Sequence, residues 1–124
     1  MNDTFRSDER LFRVVRPTDM YWKNGHPTSA AFKTSEPDGL STDREGDRSV
    51  SDCVAALHSR LEGGAISVTY ADCQDVSALV VYSPILSEDN PNPYHTLIRG
   101  QEKPSLSNGQ ARRLASIAEI HTIP

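Results

Sequence analysis

Three short stretches of this 124-residue chain carry the side chains best suited to directional chemistry. They are His26-Pro27-Thr28-Ser29-Ala30-Ala31-Phe32, Leu40-Ser41-Thr42-Asp43-Arg44 and Asn92-Pro93-Tyr94-His95. Small residues let a ligand or a second backbone approach closely, while hydroxyl, carboxylate and guanidinium groups add oriented hydrogen bonds. Such a mixture suits a binding groove, to which His26, Ser29, Phe32, Ser41, Asp43, Arg44, Tyr94 and His95 are the expected contributors. His26 follows a turn, and His95 enters a strand behind Pro93, whose fixed φ sets the entry geometry. Both are candidates for a general base or a ligand contact, because loops at strand ends often carry function. Arg13 shares a strand face with Leu11 and Val15, which puts a charge on an apolar side. There it either reaches a carboxylate or phosphate or forms a buried ion pair with an acid such as Asp43.

No established catalytic motif accompanies these residues. GxGxxG, the phosphate loop, HExxH and GxSxG are all missing. The four histidines have no metal-ligand spacing, and Cys53 and Cys73 form no CxxC pair. We therefore expect no metal centre and two buried or half-buried free thiols. His58 reads as an edge or surface residue of a helix, His121 as part of a frayed C-terminus, and Trp22 as core. The charged run Asp43 to Arg48 reads as a solvated loop.

Composition narrows the classes. The length fits one domain, at about 100–200 residues per domain. Net charge is −4 with scattered Lys and Arg, which argues against a nucleic-acid partner. No apolar run approaches the ~20 residues of a membrane span. The N-terminus lacks a secretory signal layout, so a cytoplasmic setting is expected.

The elements that must position the candidate residues follow from periodicity. Residues 1–10 read as a flexible N-terminus and 11–120 as one domain. Strands are expected at Leu11–Val15, Thr28–Lys33, Leu40–Thr42, Ala65–Thr69, Leu79–Tyr82 (an apolar run placed centrally) and Tyr94–Arg99. Asn24-Gly25 marks a reversal and Glu36-Pro37-Asp38-Gly39 a turn. Helix starts are signalled at Ser49, Thr69 and Ser107 by hydroxyl caps with a capping-box spacing. Val50, Cys53, Val54, Leu57 and Leu61 form one stripe, ended by Gly63-Gly64; Ala111, Leu114, Ala115 and Ala118 form another. The sum is an α+β fold: a mixed or antiparallel sheet of about five strands with two main helices.

The segments Leu11-Phe12-Arg13, Pro27 to Phe32, Leu40 to Arg44 and Asn92 to His95 resemble a group of short bacterial proteins sharing a P-T-S-x-A-F / L-S-x-D-R pattern. This resemblance extends from about Leu11 to Ala118 and implies a bacterial, cytosolic setting. A looser likeness is to NAD-dependent ADP-ribosyltransferases. By that likeness Arg13 would grip the dinucleotide, Ser29 or Ser41 would frame the pocket, and His95 would take the late polar position. The late strand glutamate of those enzymes has no counterpart, since Glu88 lies in a proline-rich loop and Glu102 follows the last strand. The leading expectation is a non-catalytic binding or interaction module with a protein partner and no cofactor; the alternative is a transferase using NAD.

Overall fold

The computed structural model describes residues 1–124. Its strands are β1 (Arg10–Val15), β2 (Trp22–Lys23), β3 (His26–Pro27), β4 (Leu40–Arg44), β5 (Gly64–Thr69), β6 (Leu79–Tyr82), β7 (His95–Arg99) and β8 (Glu119–Ile120). The helices are α1 (Val50–His58), α2 (Tyr70–Asp75) and α3 (Asn108–Ile117), with a 3₁₀ turn at Ser29–Phe32. Six strands form one sheet in the order β6-β7-β4-β1-β5-β8, every pairing antiparallel, and β2 with β3 form a separate hairpin. The α+β expectation holds, with one strand more than anticipated: β8 adds two residues to the edge of β5.

Alternation along β1 divides the interior. Leu11 and Val15 face a main core that also takes Leu40, Ile66, Val68 and Ile98 from the sheet. Cys73 from α2, Ala111, Leu114 and Ala115 from α3, and Ala31 and Phe32 close it from above. Phe12 faces the other way and packs with Cys53 and Leu57 of α1, flanked by Val14, Val50 and Val54. The two free, buried thiols thus lie in different clusters.

The helix starts form as their sequences dictate. Ser49 accepts from the Asp52 N–H, while Thr69 with Asp72 and Ser107 with Gln110 form complete capping boxes. Asn24 (φ 54°) and Gly25 (φ 74°) both adopt positive φ, as the two-residue β2–β3 reversal requires. Gly64 is fixed by contact: a Cβ there would collide with the Trp22 ring, which packs against the main core.

Three element assignments need correction. Thr28–Lys33 is no strand; a strand would send Ala31 and Phe32 to opposite sides, whereas both are buried together, as the tight Ser29–Phe32 turn permits. The apolar run Leu79–Tyr82 forms an edge strand rather than a central one, with Leu79 and Val81 exposed. The first helix stops at His58, leaving Leu61 exposed instead of on the buried stripe.

The charged run departs furthest from its solvated reading. Asp43 and Arg44 extend β4 and are 4% and 2% exposed. Arg44 donates to Glu9 from Nε (2.7 Å) and Nη2 (3.0 Å), and Glu9 is 1% exposed. The same guanidinium donates to the carbonyls of Asn2 (2.6 Å) and Thr4 (2.8 Å) and lies over the rings of Phe5 and Tyr82. Glu9 also accepts from the backbone N–H groups of Gly46 (2.9 Å) and Arg6 (3.3 Å). The N-terminal residues, read as loose, are therefore tied by specific hydrogen bonds.

Burial pushes the Glu9 carboxyl pKa up, but the hydrogen bonds from Arg44, Gly46 and Arg6 and the Arg44 charge outweigh it, so the net shift is downward. A carboxyl more acidic folded than unfolded contributes stability above its unfolded value, lost as pH falls through the folded one. Glu9→Gln should cost about 3–5 kcal/mol in urea unfolding at pH 7, the range for one partner removed from a buried pair. It should also flatten the loss of stability below about pH 4.3, the unfolded Glu value.

Candidate functional site

Strand β4, buried except at Ser41, distributes its alternate side chains to two sites. Leu40, Thr42 and Arg44 point into the main-core side, whereas Ser41 and Asp43 point to the side carrying α1. Register then sets their neighbours across three strands. Asp43 stands opposite His95 of β7, and Ser41 stands opposite Leu97, which in turn stands opposite Val81 of β6.

His95 links the polar members of this face. Its Nδ1 lies 2.8 Å from the Ser83 carbonyl and its Nε2 3.2 Å from Ser41 Oγ. A carbonyl oxygen only accepts, so Nδ1 carries the hydrogen and the neutral ring turns an Nε2 lone pair towards the Ser41 hydroxyl. Asp43 accepts from Arg60 Nη2 (2.7 Å) and Asn92 Nδ2 (2.8 Å), which fastens the end of the 83–93 loop beside His95. Arg13 does not pair with Asp43. It leaves β1 on the Leu11 face and its Nη1 donates to the Ser41 carbonyl at 3.1 Å. The β1–β4 ladder is paired only at Leu11↔Arg44 and Phe12↔Asp43, so this guanidinium bonds a β4 carbonyl just beyond the paired register. Its Nε is buried without a partner and no carboxylate lies within 4 Å; burial lowers its pKa.

A second feature is a cleft of about 710 Å³ between the N-terminal segment and the ends of β6 and β7. Phe5, Tyr82 and Tyr94 supply aromatic walls, with Arg44 and Glu9 in its lining. Tyr94 stacks on Arg48 at 3.4 Å, and its carbonyl accepts from the Arg44 N–H. Tyr82 closes this end by donating to the Pro93 carbonyl at 2.6 Å.

The expected single groove resolves into separate places. Ser41, Asp43 and His95 come together on one sheet face, and Arg13 touches them through the Ser41 backbone. Arg44 and Tyr94 belong to the cleft, where Arg44 already makes four hydrogen bonds to Glu9 and the N-terminal carbonyls. His26, Ser29 and Phe32 stand against α3 instead: His26 Nε2 lies 2.9 Å from the Ala115 carbonyl, Phe32 is core, and Ser29 is exposed. They are too far around the fold to share the groove, because the 3₁₀ turn packs on α3 rather than on β4 or β7. Of the residues named for an NAD pocket, Arg13, Ser41 and His95 are brought together, and Ser29 is not.

Sequence reading passed over two features. Half of the exposed large hydrophobics, Leu79, Val81, Ile85 and Leu86, fall within residues 79–86. The signal was present: Val76 to Ser87 contains no Asp, Glu, Lys or Arg over twelve residues, in a chain that is 24% charged. His121 is the other. It is half-buried, packs against Phe12 and lies 2.8 Å from Ser67 Oγ, while His58 lies 2.8 Å from Thr122 Oγ1. The supposedly frayed C-terminus is thus fastened to β5 and α1.

No protein-family model, curated protein or solved structure matches the chain. No helix is long and apolar enough to cross a membrane.

Two outcomes follow. Burial lowers the His121 pKa, with Arg10 acting in the same sense and Glu119 and Glu45 opposing. The unfolded chain then binds the extra proton, so stability should fall as pH drops below about 6.5 through the lower folded value. Thermal melts between pH 7.5 and 5.5 should show that slope, and His121→Gln should reduce it. Asp43→Asn, which leaves Arg60 without its carboxylate, should cost about 1–3 kcal/mol and speed amide exchange at Asn92.

Proposed function

We propose that this protein is an interaction module that takes up an extended, uncharged segment of a partner polypeptide along the free edge of β6. The observation that carries the reading is the coincidence of an open backbone edge with the charge-free stretch. β6 pairs with β7 on one side only. Ser83 N–H bonds the His95 carbonyl, so by antiparallel alternation Leu79, Val81 and Ser83 address β7. The N–H and C=O groups of Val80 and Tyr82 therefore point outward, unpaired.

An incoming strand satisfies these groups in the manner of β-augmentation, where main-chain hydrogen bonds give affinity and alternate side chains give specificity. Specificity here comes from Leu79 and Val81 on the face beyond α1, continued by Ile85 and Leu86, the latter 83% exposed. Contiguous exposed apolar surface of this kind marks interaction sites. Because Val76 to Ser87 carries no charge, the complementary segment is itself uncharged and β-branched-rich: a charge facing this strip would be desolvated without a partner. The Glu9–Arg44 pair supports the edge from beneath through the Tyr82 ring.

Selection of a displayed peptide library on the folded protein should return uncharged β-branched segments that slow amide exchange at Val80 and Tyr82. Val81→Lys, an exposed change with a stability effect within about 0.5 kcal/mol, should abolish their binding. Peptides that protect other amides, or that bind Val81→Lys unchanged, would contradict the reading. Concentration-dependent dimers protected at the same amides would name a second copy as the occupant.

A further inference from the structure

The geometry points to Ser41 as an activated nucleophile with His95 as its base, competent to attack an ester or another activated acyl group. This goes beyond strand recognition, and its reacting residues, Ser41 and His95, are ones that an added strand at β6 does not need.

The argument starts from the proton inventory. The Ser83 carbonyl at 2.8 Å requires a hydrogen on His95 Nδ1, which leaves Nε2 as the acceptor in the neutral ring. Ser41 Oγ lies 3.2 Å from that Nε2 and is exposed. The three parts of a serine nucleophile are then present in sequence: hydroxyl, base, and a group orienting the base. The orienting group is a backbone carbonyl rather than a carboxylate, because Asp43, the direct cross-strand neighbour of His95, is committed to Arg60 and Asn92. A separation of 3.2 Å is within the looseness of such pairs before substrate binds.

The surroundings define the substrate class. Ser41, Leu97 and Val81 stand in one row across β4, β7 and β6, so an acyl chain on the Ser41 oxygen has an apolar shelf alongside it. Cross-strand neighbours lie about 4.5–5.5 Å apart, which suits a short aliphatic chain. Positive charge is close by: the Arg13 guanidinium, with no carboxylate within 4 Å, is one hydrogen bond from the Ser41 backbone. That contact fixes the β4 backbone at Ser41 from the opposite face of the sheet.

The step balances as follows. Ser41 Oγ bonds to the acyl carbon while its proton passes to His95 Nε2. The bond from that carbon to the leaving oxygen breaks, and the leaving alcohol takes the proton from Nε2. Water, deprotonated by the same nitrogen, then releases the acid and restores the hydroxyl.

The probe is a dialkyl fluorophosphonate, with which the Oγ–P bond forms, the P–F bond breaks and fluoride leaves. Intact mass and peptide mapping should give one adduct, on Ser41. Ser41→Ala should remove the adduct. His95→Gln should slow labelling about a hundredfold, the lower range for general-base catalysis. Thermal melts establish that each variant is folded, and His95→Asn serves as the second variant if His95→Gln is not. Imidazole ¹⁵N shifts on the unaltered protein should report the Nδ1–H tautomer. No adduct on Ser41, an adduct formed equally fast without His95, or the Nε2–H tautomer would overturn the assignment. Each of these outcomes leaves amide protection at Val80 and Tyr82 untouched, so the two proposals fail separately.

Discussion

The paired Glu9 and Arg44 hold together parts of the chain that otherwise have no reason to meet. Arg44 reaches Glu9 and the carbonyls of Asn2 and Thr4, while Glu9 reaches back to the Gly46 N–H. Phe5 and Tyr82 sandwich the guanidinium, and Phe5 stacks in turn on Tyr70 at the start of α2. The N-terminal segment, β4, the loop after it, β6 and α2 thus converge on one cation. Burying two charges is tolerable only when nearly every donor and acceptor is satisfied, and here the surrounding carbonyls, amides and rings do that.

Fixing Arg44 on one side of β4 fixes Ser41 and Asp43 on the other, because a strand alternates its side chains. A slip of one residue would exchange the buried cation for Asp43 and dismantle both sites at once. The open face beside β6 follows from where α1 sits. α1 packs over β1 and β5, leaving Leu79 and Val81 uncovered, and the row Ser41-Leu97-Val81 connects the polar pair to the free edge.

Local signals in the sequence were read correctly where the physics is local. Ser49, Thr69 and Ser107 cap helices because the groups they satisfy lie three residues away, and Asn24-Gly25 reverses the chain because positive φ is a property of those two residues. The burial of Arg44 depends on a carboxylate 35 residues earlier, and that of Asp43 on Arg60 and Asn92, so the run Asp43 to Arg48 looked solvated. An apolar run such as Leu79-Val80-Val81-Tyr82 does not reveal whether neighbours flank it on one side or two. The candidate site was legible in part: Ser41, Asp43 and His95 do meet, but the assignment of Ser29 and Phe32 to the same groove assumed a strand where a 3₁₀ turn forms. His121 was missed because its partners, Phe12 and Ser67, are more than fifty residues away.

A double-mutant cycle on Glu9 and Arg44 tests the dependence on this pair most directly. Each residue is replaced by Met, singly and together, and unfolding free energies are measured in urea at pH 7. The account predicts that either single variant is less stable than the double variant, because each leaves one buried charge uncompensated while the double leaves none. Additive losses, with the double variant as unstable as the two singles combined, would show that the pair does not organise the fold.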